Sequence, residues 1–318
     1  MVTTLNRDAI FISNDEVKRV STIKDFIDII EQAYFLYGQG DFFDFPRHTL
    51  SVPSPNEKRK SLKLMAAACP KDGVMGGYVY SGGFRQNRGW QKCFLLYDFA
   101  RGYLKAVIEC EYLSWLKTGA VSAVAAKYLS RMNSKTVGIF GSGKQAVTQL
   151  EGLCQVRNIT LIKVFSRNEY KRQAFCQMMS DKLKLPVLPV SKPEEVIEES
   201  DIIVTATSSK TPVFHGSLLK EGMHVNAIGA HYPDIRELDR EALIGKKVVV
   251  DTFSCLEEAG EFVLAGLGIQ DIYGELGEVV SQKKQGRSSS SEITIFKSAG
   301  RGFEYLALTN YVYRQLRK

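Results

Sequence analysis

Between residues 136 and 253 the chain alternates short apolar runs with segments whose apolar residues recur every three or four positions. The runs TVGIF, LIKVFS, PVLPV, DIIVTAT, HVNAIG and KVVVDT have the length and β-branched content of strands, with helical spacing between most of them. Strands alternating with helices predict a parallel sheet, because each parallel connection needs a crossover and the crossovers cover both faces. Residues 1–116 follow another pattern. VKRVSTIKDFIDIIEQAYFLYGQG has apolar residues at helical spacing and ends in glycine, which predicts one helix and its stop. SLKLMAAA, MGGYVYSGGF, QKCFLLYDF and YLKAVIE read as strands without helical crossovers, so their sheet is expected to be mainly antiparallel. The Ala-rich, amphipathic EYLSWLKTGAVSAVAAKYLSR (111–131) is the expected connecting helix. After Asp251 glycines punctuate the chain, and SQKKQGRSSSSE (281–292) reads as a polar loop. A last strand, ITIFKSAG, then precedes a closing helix, FEYLALTNYVYRQLRK, expected to return to the N-terminal domain. The fold class is therefore α/β. A doubly wound Rossmann sheet is expected over residues 117–301, and a second α+β domain, for substrate binding and dimerisation, over 1–116 with 302–318.

Composition narrows the partners. The 318 residues are 44% hydrophobic and 24% charged, enough for two cores. A net charge of +7 arises from 42 basic against 35 acidic residues scattered along the chain, without the concentrated patch that nucleic acid requires. Six cysteines lie far apart, with no CxxC and no Cys/His cluster at ligand spacing, so neither disulfides nor a metal site is expected. The opening MVTTLNRDAIFISNDEVKR is unlike a signal peptide and no apolar run reaches membrane-spanning length, which predicts a cytoplasmic protein.

The chemistry starts at GIFGSGKQAVTQL, where Gly141, Ser142, Gly143, Lys144, Gln145 and Ala146 join a strand to a helix. In a Gly-x-Gly-x-x-Ala turn the first glycine permits the tight bend and the second lets backbone approach a diphosphate. The alanine still allows close helix–strand packing. The end of the next strand selects the dinucleotide. An acid there would hold the ribose hydroxyls of NAD, but Ser166, Arg167 and Asn168 stand in its place, with Lys171 and Arg172 just after. These groups donate hydrogen bonds to a 2′-phosphate, so NADP(H) is favoured and NAD(H) remains possible. Thr205, Ala206 and Thr207 end the fourth strand, where the ligand crevice of an open α/β sheet lies.

FPRHTL, KTGAVSAVAAKYL, GIFGSGKQAVTQLEGL, DIIVTATSSKTPVF, HVNAIGAHYPDIREL, GELGEVV and EITIFKSAG follow one another in an order that resembles the ornithine cyclodeaminase/μ-crystallin family. The resemblance implies a homodimer whose subunits pair a Rossmann domain with an open-barrel domain, the reaction taking place between the two. It implies that Arg47 and Lys63 hold the carboxylate of a small imino or amino acid, with Lys63 also placed to move a proton. It adds Thr118, Ser298 and Gly300 to the cofactor contacts, and Lys117 as a third carboxylate ligand where most relatives have arginine.

A second departure bears on the reaction. Cyclodeaminases carry Asp in GAD-x-PGK-x-EL, whereas this chain reads GAHYPDIREL, with His231 in that place as the candidate proton relay. That pattern is closer to the μ-crystallin branch and turns the expectation from ornithine cyclisation toward reduction of a C=N bond with NAD(P)H. A cyclodeaminase using bound NAD and a non-catalytic NADP-dependent binder are the alternatives. Tyr78, Phe84 and Tyr232 are expected to shape the pocket.

Overall fold

Ser21 and Thr22 break the first helical pattern in two. The computed structural model describes residues 9–53, 60–82 and 92–318, and Phe84 lies outside them. Helix α1 (Asn14–Val20) is capped by Ser13 and α2 (Ile23–Gln39) by Thr22, each with a reciprocal carboxylate, Glu16 and Asp25. One long helix was expected here. Of the two new ends, the start of α2 is satisfied by the Thr22–Asp25 capping box and the end of α1 by the Ser21 hydroxyl, which donates to the Val17 carbonyl at 2.6 Å, so the interruption costs little. Along α2 the buried Phe26, Ile27, Ile30, Ala33 and Tyr34 form one stripe, and Gly40 ends the helix in a left-handed cap.

Contacts divide the chain into two compact units, Met1–Lys117 with Arg301–Lys318, and Thr118–Gly300. The first holds a six-stranded sheet in the order β1 (Ile10–Ile12), β6 (Leu104–Glu109), β5 (Lys92–Asp98), β4 (Val74–Gly82), β3 (Lys60–Cys69), β2 (Phe43–Val52). Among the described residues only its β1–β6 pair is parallel. Met65, Tyr78, Phe94, Leu96 and Ile108 line its buried face. The last helix, α10 (Gly302–Leu316), packs across β2 to β5, and its Phe303 meets Tyr34 of α2 edge to face at 5.1 Å. Strand β2 was not among the expected elements, because Pro46 interrupts its alternation. The strand accommodates the proline in a bulge between Phe45 and His48, where a missing N–H loses no ladder bond.

The second unit holds eight parallel strands in the order β13 (Gly274–Glu275), β12 (Lys247–Val250), β14 (Thr294–Lys297), β11 (His224–Ala227), β10 (Ile202–Thr205), β7 (Thr136–Phe140), β8 (Leu161–Phe165), β9 (Val187–Pro189). Both faces are covered. Ile202 and Val204 pack with Val137, Ile139 and Leu150 on one side, and the intervening Ile203 packs with Phe140 and Val225 on the other. Helices α3 (Glu111–Leu129), α4 (Lys144–Val156), α5 (Glu169–Leu183) and α6 (Pro193–Ile197) precede or join β7, β8, β9 and β10. From Thr118 onward α3 is not the amphipathic helix expected: Val121 to Ala126 are all buried and only Lys127 is exposed. Its alanines and Gly119 let α4 approach so closely that a Cβ on Gly119 would stand 2.3 Å from the Thr148 carbonyl. Beyond β11 helices are short, α7 (Cys255–Glu258), α8 (Gly260–Val263) and α9 (Leu276–Val280). Among the described residues no helix is long and apolar enough to cross a membrane.

His224 opens β11 fully buried between the Thr294 hydroxyl at 2.9 Å and Asn226 Oδ1 at 3.1 Å. Burial, and after it the Arg287 charge, lower its pKa from 6.5 to about 3, so the ring is neutral in the fold. The unfolded chain takes up that proton near 6.5, so the native advantage is full above this pH. It falls by about 1.4 kcal/mol per pH unit as pH drops toward 3. The urea midpoint is accordingly expected to fall between about pH 7 and about pH 5, and to fall less steeply in His224→Gln. Equal slopes for the two proteins would remove His224 as the cause.

Candidate active site

The chain leaves β7 toward β8 and β9 at one edge of the parallel sheet, then returns to β10 on the other side of β7, so the topological switch lies between β7 and β10. Gly141 turns there with φ +113°, its N–H donating to the Phe165 carbonyl at 2.8 Å, while Ala206 N–H donates to Phe140 O at 2.9 Å. A Cβ on Gly141 would lie 2.4 Å from the Ala206 carbonyl, so only glycine fits. Gly143 then caps α4 without a side-chain hydrogen bond and faces open space. The first N–H groups of this thirteen-residue helix are thereby offered outward with its positive dipole end, which fits a diphosphate. Lys144 is exposed and Gln145 half-buried, while Ala146 is buried against the sheet.

At the end of β8, Ser166 accepts a hydrogen bond from Ser142 at 3.0 Å, and its carbonyl accepts from Arg172 at 2.7 Å. Arg167 is exposed. Asn168 caps α5, its Oδ1 accepting from Lys171 N–H at 2.9 Å. The Thr118 carbonyl accepts from Gln149 at 3.0 Å, tying the start of α3 in this unit to α4.

The carboxyl ends of the strands on the other side of β7 are held by buried acids that the sequence reading did not single out. Asp251, fully buried, accepts at Oδ2 from the Ser298 hydroxyl at 2.9 Å and from the Ala299 and Gly300 N–H groups at 2.7 Å each. The segment Ser298 to Gly300 is thereby fixed by its backbone. Thr205 is fully buried with its hydroxyl on Glu237, and Thr207 gives both N–H and hydroxyl to the same carboxylate. Lys297, also fully buried, pairs with Glu261 at 3.1 Å and donates to the Ala230 carbonyl at 2.5 Å. Burial works against its charge, but the fields of Glu261, Cys255 and Glu237 outweigh it and raise the pKa above that of an ordinary lysine. One signal for these residues was present: a charge inside a strand buried on both faces, as in ITIFKSAG and KVVVDT, must find a partner. Half-buried His231 lies in the loop after β11, its ring 4.4 Å from that of exposed Tyr232.

In the first unit, Pro46 and the half-buried Arg47 form the β2 bulge. The bulge also brings Phe45 and His48 to one face, their rings stacked at 4.5 Å. Lys63 of β3 sits between Thr49 and Tyr80 in register and is 3% exposed, its ammonium 5.4 Å from the Tyr80 ring centre. Tyr80 stacks on Tyr78 and Tyr78 on Tyr305, with hydroxyls of Tyr78 and Tyr305 both on Ser114, at 3.0 and 2.7 Å. Lys117 is buried and donates to Glu304 at 2.7 Å, and Glu304 also accepts from Tyr34 at 2.5 Å and from the Arg301 N–H at 2.9 Å. Arg301 in turn pairs with Asp44, whose carboxyl burial pushes up in pKa against the pull of that guanidinium. Among the described residues no group of three or more His, Cys, Asp or Glu is placed to hold a metal.

A parallel sheet with a glycine turn at its switch point and an uncapped helix beyond it defines the Rossmann class of nucleotide-binding folds. The chain belongs to the ornithine cyclodeaminase/mu-crystallin family, whose model matches residues 7–318. It is 40% identical over 227 residues to a Delta(1)-pyrroline-2-carboxylate reductase of Bacillus cereus, covering 70% of either chain. The Thermococcus litoralis Delta(1)-pyrroline-2-carboxylate reductase, solved with NADH and L-proline, superposes with a TM-score of 0.90 at 31% identity, over 96% of this chain and 97% of that one. An archaeal alanine dehydrogenase, solved as a dimer with bound NAD, gives a TM-score of 0.89 at 29% identity, covering 97% and 96% of the two chains.

Proposed function

We propose that the protein is an NADP(H)-dependent reductase of small cyclic imino acids, with pyrroline-2-carboxylate as its first candidate substrate. The observation that carries the reading is the left-handed Gly141 turn ahead of the uncapped α4, a seat for a dinucleotide diphosphate. The likeness to two pyrroline-2-carboxylate reductases supports the substrate class. When bound, the reduced nicotinamide supplies a hydride from C4 to the imine carbon. The chain supplies the rest. Arg47 offers a planar fork for the substrate carboxylate and Lys63 a second positive charge, and the Lys63 ammonium protonates the imine nitrogen, so that C=N becomes CH–NH. Lys117, paired with Glu304, adds a third positive charge in the same unit. His231, where cyclodeaminases carry Asp, relays protons from solvent rather than assisting loss of ammonia.

The preference for the 2′-phosphate comes from Ser166, Arg167 and the amide of Asn168, braced by Arg172 under the Ser166 carbonyl. NAD(H), which the two solved neighbours carry, is the second cofactor. Thr118, Lys144, Gln145, Thr207 and Gly300 complete its contacts, while Thr205 and Ser298 act from behind through the acids that hold them. A second copy of the chain covers the outward face of the antiparallel sheet, where Phe43, Leu50 and Val52 are 64%, 66% and 54% exposed along one strand. Six unpaired cysteines fit a cytoplasmic setting.

The test is a panel of cyclic imines and keto acid–amine pairs followed by NADPH absorbance with NADH as control, on protein whose mass is measured by sedimentation. Expected are turnover of pyrroline-2-carboxylate, about tenfold faster at limiting NADPH than at limiting NADH, and a mass near twice that of the 35.6 kDa chain. Proline and ammonia formed from ornithine without net cofactor turnover would establish a cyclodeaminase instead. Tight NADPH binding with no oxidation across the panel would establish a binding protein.

A further inference from the structure

Glu237 ends the loop that follows β11, is fully buried, and serves donors from two strand ends. Its Oε2 accepts from the Thr205 hydroxyl at 2.7 Å and from Gly229 N–H at 2.8 Å. Its Oε1 accepts from the Thr207 N–H at 2.6 Å and hydroxyl at 2.7 Å. Four donors on two oxygens use a carboxylate fully. The Glu237 N–H is held in turn by Glu261 at 2.9 Å, and Glu261 by Lys297, which also grips the Ala230 carbonyl. The end of β10 is thus tied to the end of β11, and the loop 229–237 that carries His231 is pinned at both ends.

We propose that Glu237 is a positioning residue for the nicotinamide half of the dinucleotide, setting the spacing of the β10 and β11 ends over which that half lies. The placement follows from topology and rests on the dinucleotide reading above. If the Gly141 turn at the end of β7 takes the diphosphate and Ser166 at the end of β8 the adenosine ribose, the other mononucleotide falls on the opposite side of β7, above β10 and β11. An amide at position 237 cannot do the same work. Its NH2 must face one pair of donors. A threonine hydroxyl can rotate to accept, but the backbone N–H beside it cannot, so either the Thr207 or the Gly229 end is released.

The test compares the wild type with Glu237→Gln and with the milder Thr205→Val, which keeps the carboxylate and removes one donor. Each is titrated calorimetrically with NADPH and NADH, and with 2′-phospho-ADP-ribose and ADP-ribose, which lack the nicotinamide. Glu237→Gln is expected to bind both fragments within about twofold of wild type and both dinucleotides about tenfold more weakly, and Thr205→Val to show the same selectivity at about threefold. If Glu237→Gln does not fold, Thr205→Val decides. Equal loss for fragments and dinucleotides, or loss for neither, overturns the inference. A wild type that binds no dinucleotide overturns it together with the cofactor reading. Selective loss in a protein that reduces no imine upholds the inference and overturns the reaction.

Discussion

Lys63→Met is expected to lower kcat/KM for NADPH-dependent reduction of pyrroline-2-carboxylate by about 10²–10⁴, while NADPH binding stays within about twofold of wild type. The size of the effect follows from two roles in one group. In the proposed mechanism Lys63 offers a charge for the carboxylate, which acts in ground and transition state alike, and a proton for the imine nitrogen, which matters only as the nitrogen gains electron density. Its setting favours both. The residue is 3% exposed and its ammonium lies 5.4 Å over the Tyr80 ring, so its charge acts in a poorly solvated setting. Methionine keeps the length and apolar stem, so the strand pairing with Thr49 and Tyr80 should survive. Lys63→Arg separates the roles. Arginine keeps the charge but gives up its proton far less readily, so KM should recover toward wild type and kcat should not. Full turnover in Lys63→Met would remove the residue from the mechanism, and a loss confined to KM would leave it as a carboxylate ligand only.

Much of the second unit was legible along the chain. All six runs read as strands between residues 136 and 253 are strands, and all but the edge strand β9 lie in the part of the sheet whose burial on both faces demands continuous apolar segments that local composition reveals. The glycine turn was legible for a similar reason, since its spacing reports a local backbone requirement. What escaped depends on distance in the chain. Glu237 and Thr207 are 30 residues apart and Asp251 and Ser298 are 47 apart, so neither clamp leaves a local pattern. Lys117 shows the same limit from the other side. The family resemblance implies arginine at its place in most members, but its pairing with Glu304, 187 residues away, is invisible in the local sequence. In the first unit, Pro46 hid β2 because a proline inside an alternating run argues against a strand unless a bulge absorbs it, and a bulge is fixed by the partner strand rather than by the run itself. The break at Ser21 and Thr22 was readable in principle, since Thr-x-x-Asp is a capping box. It was masked by apolar spacing that continues across it.

Gly141→Ala and Gly143→Ala are expected to fail in different ways, and the contrast tests the dinucleotide seat. At Gly141 the backbone sits at φ +113° and the added methyl would stand 2.4 Å from the Ala206 carbonyl. The turn has no free direction in which to yield, because Gly141 is bonded to Phe165 in β8 and Ala206 to Phe140 in β7. Strain of about 1–3 kcal/mol at the backbone adds to the clash, so the melting temperature should fall by several degrees and NADPH should bind at least about 100-fold more weakly. At Gly143 φ is −93° and nothing lies within 4 Å of a new Cβ, so the fold should keep its stability within about 0.5 kcal/mol. The space that the methyl enters is the approach to the first N–H groups of α4. If a diphosphate is to reach those amides, Gly143→Ala must weaken NADPH and ADP-ribose alike, by about tenfold, in a protein that melts like the wild type. Unchanged affinity there would mean that the anion is held elsewhere, and with it the dinucleotide.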